Sequence, residues 1–212
     1  MRVLVACEYS GRVRQAFLDR GHEAWSCDLL PAEDGSEFHL QADVLDVLHT
    51  TATTWWADPW DLMIAHPPCT HLAVSGARHF AAKEASGVQA KALEFVRKLM
   101  AAPIPRICIE NPVSIISTRI KKPSQIIQPW MFGHGETKTT CLWLKGLHKL
   151  VPTNIVAGRS DRIHKMPPHP NRWKDRSRTY QGIADAMAAQ WGGGPGRAEP
   201  GDPDLDPKTT TG

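Results

Sequence analysis

Short runs of consecutive apolar residues recur along most of the chain. A strand whose side chains are apolar on both faces is typical of a parallel sheet that is covered on both sides. The pattern therefore predicts buried strands at residues 3–7, 24–27, 62–65, 107–109 and 141–144.

Segments with helical spacing lie between these runs. Val13, Phe17 and Leu18 follow the first run, and a longer apolar stripe from Val88 to Leu99 precedes the run at 107–109. Strands that alternate with helices indicate consecutive βαβ units. The sequence thus predicts an α/β fold with a mostly parallel twisted sheet and helices on both faces.

The composition changes abruptly at residue 192. Residues 192–212 contain six glycines and four prolines, and Leu205 is almost their only apolar side chain. Such a segment cannot bury enough apolar surface to offset the entropy lost on ordering. We therefore expect one domain at residues 1–191, an ordinary size, followed by a disordered tail.

Composition and charge argue against several classes of protein. The apolar runs fall far short of the roughly 18 residues that span a membrane, and the first residues lack an export signal. We expect a cytoplasmic protein without membrane contact or an obligate protein partner. The five cysteines are widely spaced and form no Cys-x-x-Cys pair, which argues against disulfides and a zinc ribbon. The net charge of +3 does not by itself indicate nucleic-acid binding.

Polar residues follow the predicted strands, at the sheet edge where α/β proteins bind their ligands. Ser10 and Gly11 follow the first strand, and the acids Asp28, Asp43 and Glu110 follow later ones. Asp28 lies 18 residues after Ser10, close to the spacing at which an acid binds a ribose in nucleotide sites. The first loop has one glycine where a dinucleotide-binding loop has three, which disfavours a nicotinamide site.

Cys69 lies in a setting that favours reactivity. It follows a predicted strand and two prolines, Pro67 and Pro68, which restrict the backbone. A thiol near His66 or His71 would have a lowered pKa and would attack an electrophilic carbon at neutral pH. The alternative is that Cys69 serves only as a small buried apolar residue. A metal site formed with the nearby histidines fits no standard zinc spacing.

Glu110 ends an apolar strand, where a carboxylate is costly unless it is paired or protonated. Asn111 and Pro112 follow it and form a stiff turn. If the two strands are neighbours, Cys69 and Glu110 converge as a nucleophile beside an acid that can protonate a ring nitrogen. That combination suits addition to a pyrimidine, whereas a capping or ion-paired acid is the structural alternative.

These motifs resemble those of the cytosine-5 DNA methyltransferases, in the compact form that phages and prophages carry. Residues 61–69 resemble the catalytic Pro-Cys motif of the family, and residues 109–112 resemble its Glu-Asn-Val motif. The likeness extends to residues 6–11, 27–28 and 42–44, and more weakly to residues 178–180 and 184–191. It covers most of residues 1–191 and implies a Rossmann-like methyltransferase domain.

The resemblance implies S-adenosylmethionine as the cofactor. The backbone at Ser10 and Gly11 would approach this methyl donor, and Pro67 would also contact it. Asp28 would bind its ribose, and Asp43 would bind its adenine amino group.

The resemblance also implies a reaction on DNA. Cys69 would add to C6 of cytosine, while Glu110 would bind N3 and the exocyclic amine so that C5 takes the methyl group. Asn111 would contact the substrate. An enzyme of this kind flips the target base out of the stack.

The chain departs from the family at two places. The family's Gln-x-Arg-x-Arg motif aligns with residues 136–140. Lys138 is the one positively charged residue of this segment, and we expect it to contact the substrate. A short insertion at about residues 147–177 stands where the family has a larger target recognition region. This insertion is basic, and we expect Arg172, Lys174 and Arg176 to contact phosphates with low sequence selectivity.

Two alternatives stay open. Pro67-Pro68-Cys69 followed by His71 also matches thymidylate-synthase-like methylation of a free pyrimidine nucleotide from methylene-folate. The altered segment at 136–140 is alternatively explained by a methyltransferase fold that binds DNA without catalysis.

Overall fold

Seven strands form one sheet in the computed structural model, which describes residues 1–50 and 59–193. Strands β1 to β5 pair in parallel, whereas β7 runs antiparallel to both β5 and β6. The strands are β1 (Arg2–Ala6), β2 (Glu23–Asp28), β3 (His39–Gln41), β4 (Leu62–Ala65), β5 (Arg106–Pro112), β6 (Gln125–Ile127) and β7 (Thr140–Lys145). The predicted α/β fold with a mostly parallel sheet is confirmed.

Helices connect most of the strands. They are α1 (Arg12–Leu18), α2 (Val44–Thr50), α3 (Phe80–Ala85), α4 (Val88–Met100), α5 (Ile116–Arg119), α6 (Arg162–Lys165), α7 (Arg172–Ser177) and α8 (Gln181–Trp191). Within the described ranges, none of them has the length and apolar character needed to cross a membrane. The predicted tail lies outside the described residues except for its first two, Gly192 and Gly193.

The order of the strands creates a crevice at the centre of the sheet. The order is β3-β2-β1-β4-β5-β7-β6, so β1 pairs with β2 on one side and with β4 on the other. The chain therefore adds β2 and β3 on one side of β1. It then crosses over the sheet and adds β4 and the later strands on the other side of β1. Ligands of open α/β sheets bind at such a switch point, outside the carboxyl ends of the strands.

Two apolar layers cover the sheet. Val3 and Val5 of β1 pack on one face with residues of α1 and α8, while Leu4 and Ala6 pack on the other with residues of α4. Each fully buried large aliphatic side chain contributes about 1.5–3 kcal/mol. Both faces of β1 are thus anchored, which holds the loop after this strand in place.

Candidate active site

A cavity of about 560 Å³ opens at the carboxyl ends of β1, β4 and β5. Its size falls within the range of small-molecule sites. Of the predicted site residues, it is lined by Ser10, Pro67, Cys69, Glu110, Asn111, Lys138 and Arg176. The predicted residues outside its wall are Gly11, Asp28, Asp43, Arg172 and Lys174.

Cys69 presents its thiol to solvent. Its backbone carbonyl accepts hydrogen bonds from the amides of Leu72 and Ala73, at 3.0 and 2.9 Å, which closes a tight turn after the two prolines. All five cysteines lie among the described residues and are free thiols, and Cys69 is the exposed one. Its solvent exposure distinguishes Cys69 from the other four cysteines.

Asn111 links the end of β5 to the loop after β4. The predicted turn at Asn111 and Pro112 is wrong, because both residues pair with β7 as part of β5. The side chain of Asn111 is buried, and its Nδ2 donates a hydrogen bond of 2.8 Å to the carbonyl oxygen of Pro67. β4 and β5 are parallel neighbours, with Ala65 opposite Ile109, so their loops leave the sheet side by side. The side chains of Cys69 and Glu110 therefore share one cavity.

Glu110 forms a close pair with His66. His66 Nδ1 lies 3.2 Å from Glu110 Oε2, and the two side chains are 15% and 10% exposed. Burial raises the pKa of Glu110, but the charges of His66 and Lys138 and hydrogen bonds from His66 and Thr179 outweigh it, so the pKa is lowered. Burial lowers the pKa of His66, but the charges of Glu110 and Glu8 outweigh it and leave the pKa raised. Both shifts favour the ionised form of the pair.

Lys138 brings a positive charge into the cavity. Its Nζ donates a hydrogen bond of 3.2 Å to the carbonyl oxygen of Arg178. Burial lowers the pKa of Lys138, and the nearby charges of Arg176 and Arg12 act in the same direction, whereas Glu110 and Cys69 oppose them. This lysine therefore interacts electrostatically with both the candidate acid and the candidate nucleophile.

The loop after β1 forms the other end of the cavity. The Glu8 carboxylate is buried and accepts hydrogen bonds from the amides of Val13 and Arg14, at 2.8 and 3.2 Å, at the start of α1. Gly11 has a φ of 69°, and a Cβ there would lie 2.4 Å from Arg14 Nη2. Packing of the buried Arg14 side chain against this position accounts for the glycine.

Asp28 and Asp43 lie behind this end of the cavity wall. Burial raises the pKa of Cys7, which lines the cavity, and the charges of Asp28 and Asp43 raise it further. Both carboxylates are therefore close to Cys7. Asp28 Oδ1 accepts from the amide of Leu30 and Asp43 Oδ1 from that of Leu45, each at 2.9 Å, bonds that use one oxygen of each carboxylate.

Part of the predicted basic insertion packs over the β1 loop. The rings of Tyr9 and Trp173 have centroids 5.8 Å apart, and the Tyr9 hydroxyl donates to the carbonyl oxygen of Lys174 at 3.2 Å. Arg178 forms ion pairs with Glu33 and Asp175. These contacts hold α7 beside the cavity, where Arg176 reaches its wall.

The sequence alone does not identify several groups at this site. It shows His66 only as a neighbour of Cys69, and it does not assign Thr179 and Arg178 to the cavity. The position of His66, a titratable residue directly after a predicted strand, is the sequence feature that could have identified it as a site residue. Thr179 lies 69 positions beyond Glu110 along the chain, so its contribution depends on the fold.

Comparisons with known proteins leave the family open. No family model matches the chain, and no curated protein matches it. Among solved structures, it is similar to a prophage-encoded protein of E. coli that is described as a DNA modification methyltransferase. The identity is 14% and the TM-score 0.48, over 74% of this chain and 52% of the other. The chain thus spans about half the length of that protein, and this likeness does not define an activity.

Proposed function

We propose that this chain is an S-adenosylmethionine-dependent DNA methyltransferase that methylates C5 of cytosine through Cys69. The observation that carries the proposal is the shared cavity of an exposed thiol, Cys69, and a buried carboxylate, Glu110. Addition to a pyrimidine needs such a nucleophile beside a group that binds the ring nitrogen. The sequence resemblance assigns these two roles to the same residues.

The fold supports a methyl donor at the β1 end of the cavity. The strand order places β1 and β4 at the switch point of the sheet, where ligands of open α/β sheets bind. The volume of about 560 Å³ is suited to a nucleotide-sized ligand. Asp28 would accept hydrogen bonds from the ribose, and Asp43 from the adenine amino group. Ser10 and Pro67 would form the wall beside the donor.

Polar atoms of the cavity residues support the presence of a ligand. His66 Nε2, Asn111 Oδ1 and Glu110 Oε2 are buried without a hydrogen-bond partner in the part of the chain that the structure describes, although Glu110 Oε2 lies 3.2 Å from His66 Nδ1. Buried polar atoms are nearly always bonded, so such atoms in a cavity are candidates for ligand contacts. S-adenosylmethionine would supply an electrophilic methyl group there.

The chain's own residues would activate the acceptor. Cys69 would attack C6, and Glu110 would bind N3 and the exocyclic amine of the base. Lys138 would stabilise negative charge on the sulfur or the ring, because it interacts with both Cys69 and Glu110. Asn111 would keep the loop after β4 in register with the end of β5 through its bond to Pro67.

The charge distribution favours a polymeric substrate. Arg176 lines the cavity, and Arg172 and Lys174 lie on the same short helix, α7. Several adjacent cations suit a phosphate backbone, whereas a free nucleotide needs one or two. DNA is therefore the proposed substrate, with Trp173 placed to stack on a base.

The test is mass spectrometry of nucleosides from cells that express the chain. We expect new 5-methylcytosine with the wild type and with Cys141→Ala, which removes a buried thiol, but none with Cys69→Ala. The purified wild type should form a covalent adduct with DNA that contains 5-fluorocytosine. Normal methylation by Cys69→Ala would exclude the covalent mechanism. Transfer that requires methylene-folate and a free nucleotide would favour the alternative enzyme.

Donor binding is measured separately. Asp28→Asn should weaken S-adenosylmethionine by about 1.5–3 kcal/mol, the usual range for a hydrogen bond to a charged group. Asp19→Asn, at an exposed position after α1, is the matched control. Unchanged affinity of the Asp28 variant in calorimetry would place the donor elsewhere.

A further inference from the structure

His66 is a titratable residue of the cavity to which the proposed reaction assigns no catalytic role. Its Nδ1 lies 3.2 Å from Glu110 Oε2, and its backbone amide donates to the carbonyl oxygen of Ala6 at 2.9 Å. The backbone of His66 is thus fixed by the end of β1, and its imidazole faces the carboxylate of Glu110 in β5. Both side chains line the cavity.

Opposing effects act on the proton of this pair. Burial disfavours a charged imidazole, whereas Glu110 and the buried Glu8 favour it, and Lys138 disfavours it. His66 Nε2 is buried and has no hydrogen-bond partner among the described residues, so an N–H there adds a further cost to the charged form. The position of the proton shared by His66 and Glu110 therefore depends on opposing effects of burial and charge. A change in charge at Glu110 would shift this proton.

Positioning alone does not require a titratable partner for Glu110. The β5 backbone pairs with β7 at Glu110, opposite Leu142, and Thr179 lines the same cavity. The sheet therefore fixes the backbone of Glu110 without His66. What His66 adds is a proton within reach.

We propose that His66 is the proton source for Glu110 when Cys69 attacks the pyrimidine ring. The inference rests on the proposed function and assigns to that site a second residue in proton transfer. His66 acts through Glu110 and so serves as a relay residue behind the group that touches the base.

Atoms and charges balance in this step. The Cys69 thiolate forms the Sγ–C6 bond, and the electron pair of the C5–C6 bond shifts through the ring toward N3. His66 Nδ1 passes its proton to the Glu110 carboxylate, and Glu110 passes a proton on to N3. His66 becomes neutral and Glu110 stays anionic. When C5 later loses its hydrogen to a base and the Sγ–C6 bond breaks, the N3 proton returns along the same path.

The variant His66→Asn tests this relay. An asparagine amide places an N–H close to the position of Nδ1, within reach of Glu110 Oε2, but it cannot release the proton. We expect kcat to fall about 10²-fold, the usual scale for general acid–base catalysis, with little change in KM. The alkaline limb of the pH–rate profile, which His66 would set, should disappear.

His22→Asn is the matched control, because His22 precedes β2 at the amino end of the strands, away from the cavity. It should keep the wild-type rate and pH profile. A His66→Asn variant with wild-type kcat and an unchanged alkaline limb would overturn the relay while leaving cytosine methylation intact. A wild-type chain that forms no methylcytosine would instead overturn the proposed function.

A second measurement covers the case in which His66→Asn fails to fold. The ring nitrogens of His66 in the wild-type protein, followed by NMR, should titrate above the ordinary histidine value. In Glu110→Gln the same ring should titrate below it, because burial then acts without the carboxylate. A His66 ring that stays neutral in the wild type across the pH range of activity would overturn the relay.

Discussion

Asn111 fastens the loop that carries the candidate nucleophile to β5, the strand that carries the candidate acid. Its Nδ2 donates a hydrogen bond of 2.8 Å to the carbonyl oxygen of Pro67, and only 2% of Asn111 is exposed. Pro67 stands two positions before Cys69, and Asn111 directly follows Glu110. Since proline fixes its own backbone angle, the bond sets the position of the loop after β4 relative to the end of β5.

Asn111→Ala should therefore lower both stability and activity. It leaves the Pro67 carbonyl without this donor, and an unsatisfied buried polar group costs about 1–3 kcal/mol. Urea unfolding measures the loss, and the rate of adduct formation at Cys69 measures the effect on the site. Asn154→Ala, at an exposed position, is the control. An Asn111 variant with wild-type stability and rate would show that the loop after β4 is held to β5 by other contacts.

Gly182→Ala should destabilise the fold although alanine favours helices. Gly182 lies in the first turn of α8, and a Cβ there would lie 1.9 Å from the carbonyl oxygen of Phe132. The helix or the loop must shift, at about 1–3 kcal/mol for a clash of this kind, against about 1 kcal/mol gained in helix propensity. Gly193→Ala, with no atom within 4 Å, should leave the unfolding midpoint unchanged. Equal midpoints for the two variants would contradict the close packing of α8.

Much of the sheet follows from the apolar pattern, but the direction and the ends of strands do not. β4 matches its predicted range, because four consecutive apolar residues are buried on both faces. The edge strands β3 and β6 were missed, since three residues are too few to show a period. The reversal of β7 was also not predicted, because strand periodicity is the same for parallel and antiparallel pairs.

The candidate site, like the sheet, could be predicted from the sequence only in part. Cys69 and Glu110 come together because Cys69 follows β4, Glu110 lies near the end of β5, and the two strands are neighbours, which the alternation of elements suggests. The His66–Glu110 contact and the Glu33–Arg178 pair join residues 44 and 145 positions apart. Such contacts depend on how the loops pack, and no local pattern in the sequence specifies them.

DNA affinity should depend steeply on salt through α7. Arg176 lines the cavity, while Arg172 donates to the carbonyl oxygen of Met166 and Lys174 lies over the Tyr9 ring. Replacing the three by glutamine should reduce the slope of log affinity against log salt by about 0.7–0.9 for each phosphate that the variant no longer neutralises. Fluorescence anisotropy with DNA of several sequences measures the slope.

The matched control replaces three exposed cations outside the cavity, Arg20, Lys91 and Lys98, by glutamine. This variant should keep the wild-type salt slope. An affinity that does not change between low and moderate salt, together with efficient methylation of deoxycytidine monophosphate, would contradict a polymeric substrate.

The His66–Glu110 pair should give the fold a pH-dependent contribution with two limits. The pKa of Glu110 is lowered in the folded state, so its contribution is complete above the ordinary value of 4.5 and is lost as pH falls. The pKa of His66 is raised, so its contribution is complete below the ordinary value of 6.5 and is lost as pH rises through the raised pKa. The coupling between the two residues should therefore be largest between these values.

A double-mutant cycle with His66→Asn, Glu110→Gln and the double variant measures this coupling by urea unfolding at several pH values. Glu110→Gln leaves a buried imidazole without its counter-charge, a change that costs at most about 3–5 kcal/mol, and the double variant should recover part of the loss. Because asparagine and glutamine retain hydrogen-bonding groups, the pH-dependent part of the coupling reports the charges. A coupling energy that stays constant from acid to alkaline pH would mean that the two side chains meet as neutral groups. The proton that the relay needs would then be absent from the resting site.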